Sequence, residues 1–252
     1  MRRARIFHEG RDQWVEAADD GESLRLGDGR VLPAAQAHWA PPARPGCGVY
    51  ALGLNYRDHS AELGFAAPAE PLIFMKGSSS FTGHRGVTPR PADADQMHPE
   101  CELVAVIGRP ARRVRAAAAL DYVGAYTVAC DYAIRGYLEN YLRPNLRVKN
   151  RDANTPLGPW LVDAEEVGDP ARLALSTTVN GEAVQAGSTA DMVHPLPELI
   201  ARLSHALTLS PGDMILTGTP HGVRFVEDGD EVACEVERVG RLVNHIRRAP
   251  AP

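Results

Sequence analysis

Short apolar runs of strand length, set off by turn residues and accompanied by only one long helical stripe, constrain this chain most. "GVYALGLN", "PLIFMKG", "CELVAVIG", "GAYTVACDYA", "DMILTG", "DEVACEVE" and "GRLVNHIR" each read as a strand. In "LALSTTVNGEAVQAG", Asn180-Gly181 lies between extended pieces and predicts a hairpin, because both residues tolerate the left-handed backbone of a two-residue turn. Leu196, Leu199, Ile200, Leu203 and Leu207 make a helical stripe that stops at "SPGD". "RAAAALDYV", "AIRGYLENYL" and the polar "YRDHSAELG" are briefer helical candidates. Strands in excess, without a helix after each one, predict an α+β, β-rich fold and not alternating βαβ units.

The first pieces, "ARIFHEG", "QWVEAAD" and "ESLRLGDGRVL", read as small strands, and the Pro-rich "WAPPARPGCG" reads as a linker. Residues 1–45 are therefore expected to form a small N-terminal β subdomain with its linker, and residues 46–252 the main unit. A chain of 252 residues has room for both. A net charge of −5 offers no basic surface to nucleic acid or to an acidic membrane. No apolar run approaches the roughly 18 residues that span a bilayer. The basic start "MRRARIFHEG" lacks the apolar stretch of a signal peptide. Cys47, Cys101, Cys130 and Cys234 are scattered and form no CxxC pair, so small buried thiols in a reducing cytoplasm are expected. GxSxG, P-loop and GxGxxG signatures are all missing, which leaves a serine hydrolase, an NTPase and a Rossmann dehydrogenase without their motifs.

The chemistry gathers at "MHPECELVAVIG". On a strand, Glu100 and Glu102 project from one face and Cys101 from the other. Paired carboxylates repel unless a cation lies between them or one is protonated. A solvated strand end would serve as well, but Asp131 ends another apolar run, "YTVACD", where a charge would otherwise be stranded beside the core. Three carboxylates without His/Cys ligand spacing favour a hard ion, Mg2+ or Mn2+ before Zn2+. Three ligands of a six-coordinate ion leave three positions open, two of which a 2-oxo acid can fill.

His59 and Glu62 form an i, i+3 pair suited to a general base, or else a polar surface helix. Lys149 lies in a cation-rich segment with Arg135, Arg143 and Arg147 nearby in sequence, a set suited to a substrate with several acid groups or to a solvated basic patch. Lys76 ends the strand "PLIFMK", either at a site or as a snorkelling side chain. "LTGTPHGV" exposes backbone amides and the Thr219 hydroxyl to an anion.

In order, "GLNYRDHSAELG", "PLIFMKGSSSFTG", "HPECELVAVIG", "GAYTVACDYAIR", "KNRDANTPLGPW", "VNGEAVQAGSTADM" and "PGDMILTGTPHGV" resemble the fumarylacetoacetate hydrolase family from Gly48 to Ile246. "CDYAIRGYLENYLRPNLRVKNRD" looks most like its 4-hydroxyphenylacetate-degradation branch of isomerase/decarboxylases, in the decarboxylase-type C-terminal part. The resemblance implies a β-rich roll or sandwich with few helices, commonly dimeric and cytoplasmic. It implies Mg2+, with Mn2+ as the alternative, held by Glu100, Glu102 and Asp131. His59 and Glu62 would be an acid/base dyad on a lid and Lys149 the active-site lysine. Thr219 would hold the 2-oxo acid end, with Lys76, Arg135, Arg143 and Arg147 about the remaining acid groups.

The activity implied is decarboxylation of 5-carboxymethyl-2-oxohex-3-ene-1,6-dioate through a metal-stabilised dienolate, with isomerisation of 2-hydroxyhepta-2,4-diene-1,7-dioate by the same or a paralogous subunit. An acylpyruvate-type hydrolase or an oxaloacetate-like 2-oxo acid decarboxylase of the same family is the alternative. A non-catalytic carboxylate binder ranks below both. Two departures stand out: no fourth carboxylate can be placed with the trio, and Gly136 stands where related chains carry Asp.

Overall fold

Asn180 and Gly181 have left-handed backbone angles (φ 51° and 82°) and join the strands Ala174–Val179 and Glu182–Ser188, as their turn chemistry predicts. In this computed structural model, which describes residues 1–137 and 146–250, that hairpin begins a five-stranded sheet. It continues through Glu231–Val236 and Gly240–Arg248 to Gly86–Arg90.

A second, larger sheet of twelve strands has Thr155–Asp163, Val123–Cys130, Cys101–Ile107, Met214–Leu216, Val49–Gly53 and Leu72–Met75 side by side in that order. Period-two alternation divides its side chains. Cys101, Leu103, Ala105 and Ile107 face the five-stranded sheet and pack in one core with Leu175, Val232, Cys234 and Leu242. Val104 and Val106 take the other face, with Val49, Ala51, Ala129, Leu157 and Leu216. The thiols of Cys101, Cys130 and Cys234 are buried and free.

The N-terminal strands Arg2–His8, Arg11–Ala17, Ser23–Arg25 and Val31–Pro33 extend the large sheet, because Arg2–His8 pairs antiparallel with Thr155–Asp163. They also share a small core of Ile6, Val15, Leu24 and Leu26. The helix Leu196–Ala206 buries Leu196, Leu199, Ile200 and Leu203 of the stripe read from the sequence, while Leu207 caps its end and is partly buried.

Two helical expectations are corrected. "RAAAALDYV" forms two 3-10 turns, Ala116–Ala118 and Leu120–Tyr122, too short a stretch to sustain α-helical propagation. "AIRGYLENYL" starts as the short strand Ala133–Ile134 and the 3-10 turn Arg135–Tyr137, because Met97–His98 offers the strand a partner; the rest of it, with Arg143, lies outside the described residues.

Candidate active site

Register alone brings the carboxylates together. Cys101 pairs with Cys130 across antiparallel strands, so Glu100 lies opposite Asp131, whose N–H donates to the Glu100 carbonyl at 2.9 Å. Glu102 pairs with Ala129 on the same face. Glu100, Glu102 and Asp131 each offer an oxygen within 4.8 Å of the others, and all three are buried.

Two lysines enter this cluster. Lys149 Nζ donates to Glu100 Oε2 at 2.6 Å and lies 3.0 Å from Asp131 Oδ2. Lys76 Nζ donates to Asp131 Oδ1 at 2.7 Å and also to the Lys149 carbonyl. Glu102 differs from its neighbours: Oε2 accepts the Gly218 N–H at 2.6 Å, while buried Oε1 has no hydrogen-bond partner among the described residues.

The electrostatics follow from this division. Burial, then the charges of Asp131 and Glu100, raises the Glu102 carboxyl well above the usual carboxylate range. Burial would raise Glu100 too, but the charges of Lys149 and Arg135 outweigh it and hold Glu100 low. Burial opposes the charge on Lys149, yet Asp131, Glu100 and Glu102 raise its pKa on balance. Lys76 is lowered, burial prevailing over Asp131. Three convergent hard oxygen donors, one of them an orphaned buried atom, fit a divalent cation such as Mg2+ or Mn2+.

The remaining residues ring the cluster. Arg135 donates through Nη2 to Glu100 Oε1 at 3.3 Å and through Nε to His98 Nε2 at 2.9 Å. Burial takes the His98 pKa down to about 3, and a neutral ring is what an acceptor nitrogen requires. The helix Arg57–Glu62 carries buried His59, whose Nδ1 lies 3.3 Å from Glu62 Oε2.

Glu62 also accepts N–H groups from Gly222 at 3.1 Å and Val223 at 2.9 Å. Burial would raise this carboxyl; those amides and His59 lower it on balance. Gly222 must be glycine there, since its φ of +121° is joined by a Cβ position only 2.2 Å from the Val184 carbonyl. A cavity opens between these groups, with His59, Glu100, Arg135, Lys149 and Thr219 around it and Leu52, Leu54, Phe65, Leu72, Phe74 and Val148 as apolar wall.

A family model described as fumarylacetoacetate (FAA) hydrolase C-terminal matches residues 48–247. This chain belongs to the fumarylacetoacetate hydrolase family. The 4-hydroxyphenylacetate degradation bifunctional isomerase/decarboxylase of Salmonella dublin is 57% identical over 198 residues, covering 79% of this chain and 46% of that protein. The chain thus spans about half the length of the curated relatives it matches. Among solved structures, 5-carboxymethyl-2-hydroxymuconate delta-isomerase from Mycobacterium smegmatis is 36% identical, covers 100% of both chains and has a TM-score of 0.84. Fumarylpyruvate hydrolase from Pseudomonas aeruginosa, solved with Mn2+ and pyruvate, is 29% identical over 88% of this chain and 94% of its own, with a TM-score of 0.75.

Of the positions expected from the sequence, His59, Glu100, Arg135, Lys149 and Thr219 line this cavity; Glu102 and Asp131 cluster with Glu100, Lys76 bonds Asp131, and Glu62 lies beside His59. Arg147 does not join them: it is exposed and stacks on the Tyr137 ring at 4.5 Å. Sequence reasoning passed over His98 and Gln185, although both stand inside blocks that carry the family resemblance. His98 sits two residues before Glu100, a same-face spacing that could have found it.

Proposed function

We propose that this chain is a divalent-metal-dependent isomerase/decarboxylase of 4-hydroxyphenylacetate degradation. Its substrate would be 5-carboxymethyl-2-oxohex-3-ene-1,6-dioate, and the decarboxylated 2-hydroxyhepta-2,4-diene-1,7-dioate would be interconverted with its 2-oxo-3-ene tautomer. The convergence of Glu100, Glu102 and Asp131 beside Lys149 and the His59–Glu62 pair carries this reading. The similarity to enzymes named for these activities supports it. The proposal includes a second chain, a copy of this one or a paralogous isomerase subunit, as cytoplasmic partner.

A Mg2+ or Mn2+ ion held by the three carboxylates would supply Lewis acidity towards the keto oxygen of a 2-oxo acid. Lys76 fixes the Asp131 carboxylate, and the Gly218 N–H fixes that of Glu102. Arg135 and the Thr219 hydroxyl face the cavity, where they orient acid groups of the substrate. The bond to the departing carboxylate then breaks: its electron pair runs through the enone to the keto oxygen, and CO2 leaves.

Glu62 stays ionised under its backbone N–H bonds and accepts the His59 Nδ1 proton, so Nε2 is the nitrogen free to take or give a proton at carbon. Lys149 holds its proton at the opposite side, beside Glu100. The apolar wall keeps water from the conjugated chain, so the proton removed from one carbon can return to another.

The test is to incubate purified protein with the tricarboxylate, with Mg2+ or with a chelator, and follow CO2 and the dienol absorbance. CO2 release that requires the metal is expected; no release in either condition defeats the proposal. The solved relative named as a fumarylpyruvate hydrolase favours acylpyruvate hydrolysis as the second reading. Pyruvate released from an acylpyruvate, without CO2 from the tricarboxylate, would select it.

A further inference from the structure

Gln185 is fully buried between the two sheets, and every hydrogen-bonding position of its amide is used. Its oxygen accepts the Cys101 N–H at 3.1 Å and the Thr177 hydroxyl at 2.6 Å. Its nitrogen donates to the Pro220 carbonyl at 3.0 Å and to Thr219 Oγ1 at 3.1 Å. A backbone N–H can only donate and a carbonyl can only accept, so Cys101 and Pro220 together fix which end of the amide is which. Thr219 Oγ1 is thereby forced to accept. Its own proton remains, and no described residue accepts it. Thr219 is buried yet lines the cavity, so that proton points to a ligand acceptor.

We propose that Gln185 is a positioning residue that fixes the Thr219 hydroxyl as a hydrogen-bond donor to the carboxylate of a bound 2-oxo acid. The proposal rests on the functional reading above. Cys101 lies between Glu100 and Glu102, so one side chain also sets the spacing between the carboxylate strand and the hydroxyl. Selectivity follows: the hydroxyl rewards an acceptor-only anionic oxygen and penalises a ligand that presents an N–H there.

The probe is pyruvate, titrated calorimetrically into Mg2+-loaded protein. In Gln185→Glu, an ionised carboxylate would draw the Thr219 proton away from the ligand. In Gln185→Met, the volume is filled and the hydroxyl is left free to turn. Pyruvate affinity is expected to fall about tenfold or more in Gln185→Glu and by less in Gln185→Met, with Mg2+ affinity held in both. A merely structural role would give the reverse order, because Met leaves the buried Cys101 N–H and Pro220 carbonyl unpartnered; that order, or undiminished affinity in Gln185→Glu, overturns the proposal.

Thr219→Ser and Thr219→Val keep it falsifiable should either Gln185 variant fail to fold. Ser is expected to retain the affinity and Val to lose about tenfold, and wild-type affinity in Val overturns the proposal. Failure of the wild-type protein itself to bind pyruvate overturns the functional reading and this proposal with it.

Discussion

Glu102 shows most plainly what the site trades. It makes no ion pair among the described residues, leaves one buried oxygen unbonded, and carries a carboxyl pushed up by burial and by Asp131 and Glu100. A folding-optimised chain would not place it there. Glu102→Gln is therefore expected to stabilise the chelator-treated protein by about 1–3 kcal/mol, read as a higher thermal midpoint. A lower midpoint would show that the negative charge itself supports the fold. The carboxylates were legible because a strand has period two and because charge at the end of an apolar run demands a partner. Gln185 and His98 were less legible, since their meaning lies in contacts from distant strands: Gln185 meets Cys101, Thr177, Thr219 and Pro220 only after both sheets have formed.

Among the elements, the segment 217–223 joins the parts of the site. Gly218 holds Glu102, Thr219 and Pro220 hold Gln185, and Gly222 and Val223 hold Glu62. His221 adds a contact through Nδ1 to Asp58 at 2.8 Å, on the helix that carries His59. Gly222→Ala brings a Cβ into the Val184 carbonyl at a φ that side chains rarely adopt. It should cost about 1–3 kcal/mol and lower kcat by freeing Glu62, while far-ultraviolet dichroism stays native. Unchanged kcat would mean that the Glu62 amide contacts do not position the dyad. The sequence marked this segment only as a small-residue loop after a strand. Strands and the Asn180-Gly181 turn were legible from local chemistry; the 3-10 turns at Ala116–Tyr122 were not, because Ala-rich composition favours a helix that the short connection cannot complete.

For the whole molecule, pH sensitivity arises from two histidines buried as neutral rings. Burial takes His84 down to about 3, helped by Arg85, Arg241 and His245, and His98 likewise. His84 accepts the Val243 N–H at Nδ1 and packs edge-on against Trp39 at 4.8 Å, well away from the carboxylates. Between about 6.5 and about 3 the unfolded chain binds protons that the folded chain refuses. Stability is therefore complete above the unfolded value and falls with acidification, by about 1.4 kcal/mol per pH unit for each such ring. Thermal midpoints should drop from pH 7 to pH 5, and His84→Asn, which keeps an acceptor, should flatten the slope; equal slopes would assign the acid sensitivity elsewhere. At this scale the β-rich family fold was legible from seven ordered blocks, whereas the pairing of Arg2–His8 with Thr155–Asp163 was not, because strand partners far apart in sequence leave no local mark. The most direct measurement of all is a calorimetric titration of Mn2+ into chelator-stripped protein, wild type against Glu102→Gln. One tight site in the wild type, lost or greatly weakened in the variant, is the expected result; no binding, or equal binding by both, would contradict a cation held by Glu100, Glu102 and Asp131.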